Sequence, residues 1–225
     1  MREKAIYVMG TLGVLILMRN LYVILLQLGD EMQQGAIYRI FFFHLPAATT
    51  ACIMFAIALV ASAGFLITRK FAFDTAAAAA TEVGFVFATM NMVTGSIWAR
   101  NIWGIWWTWD ARLTSMFILW LLYLGYLIIR PAIEEPTQRA TLSAVLSIFA
   151  FCDVPIVYYS IQWWRTQHPA PVLTTPGAMD PALWPPLLLN MLAMLLIGLT
   201  LMMVRLRQER VLREIDSLRR YAHAI

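Results

Sequence analysis

Two histidines and a tryptophan-rich segment are the parts of this sequence whose residue types and spacing could do chemistry. His44 stands in RIFFFHLPAA and His168 in WWRTQHPAPV, and residues 98–114 between them read WARNIWGIWWTWDARLT. Neutral imidazole nitrogen is a common axial ligand of heme iron, and two imidazoles from opposite directions fill both axial positions. Indole rings outside an apolar span form a membrane-interface belt or a platform for a flat apolar ligand. Together these residues favour a heme site.

Aromatic and cationic residues around the histidines complete the predicted site. From Trp103 to Asp110, three tryptophans and the aspartate are spaced by three, one and three residues, so they share one face if the segment is helical. Asp110 could orient an axial histidine, pair with Arg112, or cap the next helix. Heme propionates call for planar cationic partners. The predicted binding residues are the axial ligands His44 and His168, with Trp98, Arg100, Trp103, Trp106, Trp107, Trp109, Asp110, Arg112, Trp163, Trp164 and Arg165.

Zinc is the main rival of heme for the histidine pair. A structural zinc site takes four protein ligands and a catalytic site takes three. Four acidic residues outside the apolar spans could supplement the histidines, and none has close ligand spacing: Asp30, Glu31, Asp110 and Asp180. Zinc also leaves the tryptophans without a role, so heme is the better fit.

The elements that position these residues are predicted to be membrane helices. Of 225 residues, 61% are hydrophobic and 13% charged, which is far from the composition of a soluble domain. A bilayer core of roughly 30 Å needs about 20 apolar residues per helix. We therefore predict an all-α integral membrane protein with six transmembrane helices and an external tryptophan-rich loop. The six predicted spans are residues 5–28, 44–68, 76–97, 113–129, 140–161 and 184–204.

The distribution of basic residues predicts the orientation of these spans. Assigning both termini and the two short loops to one side places twelve of the seventeen Lys and Arg residues there, against four on the other side. The positive-inside rule then puts both termini in the cytoplasm and residues 29–43, 98–112 and 162–183 outside. The net charge of +4 is therefore a topology signal, and no nucleic-acid partner is expected.

Two domains are predicted: a six-helix membrane domain over residues 1–204 and a basic cytoplasmic tail over residues 205–225. Val211, Ile215, Leu218 and Ala222 give the tail one apolar stripe. The stripe could lie on anionic lipid or pack on a partner subunit, and both interpretations stay open. His223 in this tail is interpreted as a solvated surface residue.

Three ionisable residues and both cysteines fall inside the predicted spans. Arg19 and Asp153 lie at a comparable depth, about 20 Å from the inner side at a rise of about 1.5 Å per residue, and are expected to pair. The alternative is that Arg19 extends to the outer surface while Asp153 binds backbone groups freed by a proline. Glu82 has no evident partner. Cys52 and Cys152 are interpreted as core residues, and the sequence has no CxxC or CxxCH for a thiol relay or covalent heme attachment.

Over nearly its whole length the chain resembles the CcmC, or heme exporter protein C, family of heme-handling proteins. WGIWWTWDARLT resembles the tryptophan-rich WWD signature of that family, and RIFFFHLPAA and DVPIVYYSIQWWRTQH resemble its two flanking histidine segments. Two departures occur, Pro169 directly after His168 and AATTA after Pro46 in place of a segment expected to contain tryptophan. Both affect local packing and leave the two ligand positions intact.

The resemblance implies that His44 and His168 bind a non-covalent b-type heme at the outer face of a bacterial inner membrane. It implies that the WWD segment presents heme to the periplasmic heme chaperone CcmE for c-type cytochrome maturation. The implied partners are CcmE, the ATP-binding-cassette subunits CcmA and CcmB, the small single-span protein CcmD, and the lipid bilayer. No independent enzymatic activity is expected, since the protein promotes covalent heme attachment to its partner.

Two other function classes compete with this interpretation. A b-type cytochrome redox subunit needs further histidine pairs for electron transfer across the membrane, and the two outward histidines allow one bis-histidine heme at most. A heme-translocating transporter would be expected to have broken helices and a polar site at the midplane, for which only Arg19 and Asp153 are candidates.

Overall fold

The computed structural model describes residues 2–169, 171–177 and 179–223 as a bundle of long helices. A π-helical turn (Val23–Gln27) extends the first helix, and 3₁₀ turns (Ala36–Ile40 and Pro181–Leu183) precede the second and the last. The helices are α1 (Arg2–Tyr22), α2 (Phe41–Thr68), α3 (Phe71–Trp103), α4 (Ala111–Ala132), α5 (Pro136–Phe151), α6 (Asp153–Trp163) and α7 (Trp184–His223).

Within the described residues, six spans are long and apolar enough to cross a membrane, with α5 and α6 forming one of them. The predicted all-α membrane fold is therefore confirmed. Several helices extend beyond the predicted apolar runs, and α3 is the clearest case with 33 residues. Hydropathy marks where a helix meets lipid, whereas α3 continues until Gly104 adopts a left-handed conformation with φ 75°.

Close packing between α2 and α3 forms the centre of the bundle. The alanines at 77–80 on α3 are all buried, and small residues let membrane helices approach closely. Gly84 has the same function, since a Cβ atom there would lie 2.7 Å from Cε1 of Phe55. Phe55 in turn stacks on Tyr123 of α4 at a centroid distance of 3.7 Å. On the flanks, α1 packs on α7, and α4 packs on α5 and α6.

A buried asparagine pair joins α1, α2 and α7. Pro46 has no N–H, so the carbonyl of Phe42 one turn earlier in α2 lacks its helical donor. Asn190 of α7 donates to that carbonyl at 2.6 Å. Asn20 of α1 donates at 2.7 Å both to Oδ1 of Asn190 and to the carbonyl of Pro186. This network fixes the end of α2 that carries His44.

Ion pairs stabilise the opposite end of the bundle, called here the basic end. Asp74 on α3 binds Arg130 on α4 through two hydrogen bonds of 2.7 and 2.8 Å. Glu82, for which the sequence showed no partner, pairs with Arg205 of α7. The sequence alone does not reveal this partner of Glu82, because Arg205 lies 123 residues away along the chain.

The expected pair between Arg19 and Asp153 is wrong. Arg19 is exposed on α1 and Asp153 is buried between α5 and α6, and no ion pair joins these two described residues. Pro155 explains the break between α5 and α6, because its missing N–H and its ring disfavour a continuous helix at the carbonyl of residue 151. The expectation that both cysteines lie in the core is also wrong, since Cys52 and Cys152 are exposed on the surface of the bundle.

The predicted tail is continuous with the last membrane helix. α7 runs without a break from Trp184 to His223, and Val211, Ile215 and Leu218 are exposed on it. The side chains of Ala222 and His223 lie outside the described part of the structure. The division between a membrane domain and a tail at residue 204 stays a prediction.

Candidate functional site

His44 lies in the first turn of α2, at the end of the bundle called here the site end. Its half-buried ring packs against one face of α3, formed by Asn91, Thr94, Gly95 and Trp98 at helical spacing. Nδ1 of His44 lies 3.1 Å from the hydroxyl of Thr94, and Asn91 donates to the His44 carbonyl at 3.1 Å. The edge of Trp98 meets the imidazole at a centroid distance of 5.8 Å. His44 is thus held by a rigid helix.

Trp98 also ties α3 to the segment between α1 and α2. Its indole N–H donates to Oε1 of Gln34 at 2.8 Å. In the same segment Arg39 donates to the carbonyl of Leu28 at 2.7 Å and pairs with Asp30 at 2.8 Å. These contacts close one side of the site end next to His44.

His168 lies in the segment after α6, and its conformation is set by the residues next to it. Its backbone N–H donates to the hydroxyl of Thr166 at 3.0 Å. Its Nδ1 lies 2.9 Å from the carbonyl of Pro169, and a carbonyl can only accept, so Nδ1 carries the proton and Nε2 keeps a free lone pair. Burial lowers the pKa of His168, and the charge of Arg112 lowers that pKa further. His168 is therefore a neutral imidazole with an available nitrogen at neutral pH.

Of the three roles left open for Asp110 by its sequence position, the structure shows the helix cap. Its Oδ1 accepts the backbone N–H of Leu113 at 2.9 Å and so caps α4. Its Oδ2 accepts the hydroxyl proton of Thr166 at 2.8 Å and so fixes the segment that carries His168. Arg112 turns away from it and donates to the carbonyl of Val157 on α6 at 3.0 Å.

The two histidines lie at the same end of the bundle. His44 packs against the last turns of α3, and His168 follows Thr166, which binds Asp110 at the end of the segment after α3. The site end thus carries His44 on α2, Asp110 and Arg112 at the start of α4, and His168 in the segment after α6. This arrangement is the main feature of the site.

The tryptophan-rich segment is not helical between α3 and α4, so the condition for a shared helical face from Trp103 to Asp110 is not met. α3 ends at Trp103, and residues 104–110 are extended or bent until Asp110 starts α4. Trp107 is half-buried against Phe117, with a centroid distance of 5.9 Å. Trp106 and Trp109 are 60% and 71% exposed, so the open aromatic surface is formed by these two rings.

The remaining predicted residues surround His168 or lie apart from it. Trp163 and Trp164 are more than half exposed, and Trp163 stacks on Tyr159 at 5.6 Å. An open cleft of about 600 Å³ lies beside His168, within the size range of ligand sites. Its lining includes Trp164, Arg165, Thr166 and His168. Arg100 folds back onto the carbonyl of Gly104 at the end of α3, away from this cleft.

Four contact residues were missed in the sequence: Asn91, Thr94, Gly95 and Thr166. The first three lie with Trp98 at three- and four-residue spacing, a polar and small-residue face in an otherwise apolar helix. That spacing was a usable signal. Thr166 stands two residues before His168, and nothing local indicates its bond to Asp110, which is 56 residues away.

Comparisons with known proteins agree on one family. A family profile described as CcmC, heme exporter protein C, matches residues 1–221. Heme exporter protein C of Bradyrhizobium diazoefficiens is 38% identical over 191 residues, covering 84% of this chain and 73% of the relative. The protein of the same name from Escherichia coli K12 is 35% identical, covering 79% of this chain and 72% of the relative. That of Paracoccus denitrificans is 37% identical, covering 80% and 76%.

Proposed function

The chain belongs to the heme exporter protein C family of multi-pass membrane proteins that handle heme in cytochrome c biogenesis, and we propose that it binds one heme between His44 and His168. The observation that carries this proposal is that both imidazoles lie at the site end, where the exposed ring of Trp164 shares a cleft with His168. A neutral imidazole with a free Nε2 is the form that ligates heme iron.

The residues at the site end fit a heme better than a zinc ion. Within the described residues, no group of three His, Cys, Asp or Glu side chains is close enough to hold a metal ion alone. A porphyrin needs only the two axial nitrogens from the protein and an apolar surface for its ring. Trp106 and Trp109 offer such a surface, and the buried indole nitrogen of Trp107 lacks a hydrogen-bond partner among the described residues.

Each part of the site has a distinct proposed role. When bound, heme supplies an iron with two axial positions for imidazole nitrogen. Arg165, which is exposed at the cleft beside His168, is the proposed cation for the propionates. Arg112 is already bound to carbonyls of α6, so we assign it to positioning and to the electrostatics of the histidines. Binding is non-covalent, because the protein brings no CxxCH motif to the site.

Delivery is the second half of the proposed function. We propose that the exposed tryptophans at 106 and 109 present heme to the periplasmic chaperone CcmE, which takes it covalently. The partners in this step are the subunits CcmA, CcmB and CcmD in a bacterial inner membrane. The basic asymmetry of the sequence supports placing the site end in the periplasm and both termini in the cytoplasm.

Visible absorption spectroscopy of the purified protein tests the binding half. We expect about one heme per chain with a six-coordinate, low-spin spectrum. Acid acetone should extract all of this heme and leave none bound to the protein. Two hemes per chain would indicate a redox subunit, and a high-spin spectrum would contradict ligation by both histidines.

A further inference from the structure

We propose that Thr94 and Asn91 are positioning residues that fix His44 in one tautomer, with the proton on Nδ1 and a free lone pair on Nε2. This inference rests on the proposed function of His44 as a heme ligand and adds how the protein prepares that ligand. Residues that hold a metal-binding imidazole by its second nitrogen set its tautomer and orientation, and their loss commonly lowers metal affinity about 10–100-fold.

The hydroxyl of Thr94 fixes the proton. A threonine hydroxyl has one hydrogen, and this one points back along α3, with the carbonyl of Met90 at 2.8 Å and that of Asn91 at 3.1 Å. Because the hydrogen is used there, the oxygen meets Nδ1 of His44 as an acceptor, at 3.1 Å. Nδ1 must then carry the hydrogen, and Nε2 is left unprotonated.

The amide of Asn91 holds the ring without blocking Nε2. One amide hydrogen points to the His44 carbonyl, 3.1 Å away. The same nitrogen lies 3.2 Å from Nδ1 and 3.2 Å from Nε2. An atom equidistant from both ring nitrogens is on the lone-pair axis of neither, so Asn91 contacts the ring and leaves the Nε2 lone pair unused.

Gly95 provides the space that this arrangement needs. A Cβ atom at position 95 would lie 2.9 Å from Cε1 of His44, closer than real Cβ contacts. The ring therefore lies directly on the backbone of α3, with Trp98 against its edge. Three consecutive turns of one helix thus determine where Nε2 of His44 lies before any heme is bound.

The other proposed ligand reaches the same tautomer by a different route. Nδ1 of His168 donates to the carbonyl of the next residue, Pro169, in a loop. Both histidines then present Nε2, but only His44 is held by side chains of a long helix. We infer that His44 is the preorganised ligand of the pair.

Nitrogen NMR of heme-free protein labelled with ¹⁵N-histidine tests this directly. The chain has three histidines, so His168→Gln and His223→Gln variants assign the His44 signals. We expect a protonated Nδ1 and an unprotonated Nε2 for His44 in the unaltered protein. Thr94→Val should give mixed tautomers, since valine keeps the shape but accepts no hydrogen bond, and Thr94→Ser should restore the single form.

Thr49→Val is the matched control. Thr49 on α2 makes the same two bonds to its own helix, with the carbonyls of Leu45 and Pro46 at 3.1 and 3.0 Å, and no hydrogen bond to an imidazole. The Thr49→Val substitution should leave the His44 signals unchanged. Heme content per chain at limiting heme should fall about tenfold in Thr94→Val and recover in Thr94→Ser.

The inference would be overturned if His44 were protonated on Nε2 in the unaltered protein. It would also be overturned if the His44 signals of Thr94→Val were identical to those of the unaltered protein. Because the tautomer is measured without heme, that result leaves the proposed ligation intact. Conversely, a heme spectrum unaffected by loss of His44 would refute the ligation while the tautomer result stood.

Discussion

Asp110 and Thr166 are joined by a hydrogen bond of 2.8 Å that links the tryptophan-rich segment to the segment of His168. The other oxygen of Asp110 caps α4 through Leu113 at 2.9 Å. One carboxylate therefore fixes both the start of a membrane helix and the loop that carries a proposed heme ligand. The aspartate of the WWD signature thus connects the start of α4 to the segment after α6.

Loss of this bond should loosen the ligand at position 168. In Thr166→Val the cap on α4 stays while the link to Asp110 and the acceptor for the His168 N–H disappear. We expect heme affinity to fall about tenfold and the low-spin fraction to decrease, as measured by absorbance during heme titration. Thr166→Ser should behave like the unaltered protein.

Thr174→Val is the control for this experiment, since Thr174 lies in the same segment and binds Tyr158 instead of Asp110. Equal heme affinities for Thr166→Val and Thr174→Val would show that the bond between Asp110 and Thr166 has no effect on ligation.

Holding heme and delivering it should depend on different residues. In Trp109→Ala an exposed ring is lost, and a single aromatic contact contributes only about 0.5–1.5 kcal/mol beyond its burial, so most heme should stay bound. Transfer needs closer alignment with the partner, and misplacement by about 1 Å can cost about 100-fold. We expect heme per chain above half of normal and a covalent chaperone adduct reduced at least about tenfold.

Heme staining of the chaperone against absorbance of the purified membrane protein measures both quantities in the same cells. Tyr7→Ala removes an equally exposed aromatic ring at the basic end and should change neither quantity. If heme and adduct fall in strict proportion in Trp109→Ala, this tryptophan belongs to the binding surface and has no separate role in delivery.

The sequence was sufficient to predict the spans and the proposed ligands, because both depend on local signals. Apolar runs mark the six spans, and His44 and His168 are notable for their residue type in segments next to tryptophans. The geometry of the tryptophan-rich segment was left open by the sequence, and the left-handed Gly104 and the Asp110 cap end one helix and start another.

The contacts that hold the ligands depend on pairs that are distant in sequence. Asn91 and His44 are 47 residues apart, and each is unremarkable in its own helix. The same holds for Glu82, whose partner Arg205 is found only once α3 and α7 are packed. No local pattern specifies such a pair before the helices are assembled.

The pKa of His168 should lie below its ordinary value of 6.5 in the heme-free protein, first because of burial and then because of the charge of Arg112. Between that lowered pKa and 6.5 the unfolded chain binds more protons than the folded one. Stability should therefore fall as pH decreases through this window, and rise with pH up to about 6.5. Histidine NMR over a pH series measures the pKa, and a value at or above 6.5 would contradict the burial of His168.

The asparagine pair should contribute measurably to stability. Asn190→Leu leaves the carbonyl of Phe42 without its donor in an apolar environment, and one of the two amide hydrogens of Asn20 without its acceptor. An unsatisfied buried polar group costs about 1–3 kcal/mol, so the free energy of unfolding in detergent titrations should fall by about that amount.

Thr200→Val provides the comparison, because among the described residues the hydroxyl of Thr200 bonds only to the carbonyl of Leu196 in its own helix. We expect the free energy of unfolding of Thr200→Val to change by about 0.5 kcal/mol or less, as for a typical surface substitution. Equal stabilities for the two variants would mean that the link between α1, α2 and α7 is not important for folding.

The absorption spectrum of the two histidine variants tests axial ligation most directly. His44→Gly and His168→Gly should each lose the six-coordinate, low-spin spectrum, because one axial position is vacated in each. Added imidazole should restore it by filling that position, and His223→Ala should match the unaltered protein. If both glycine variants keep an unaltered heme spectrum, His44 and His168 are not the ligands.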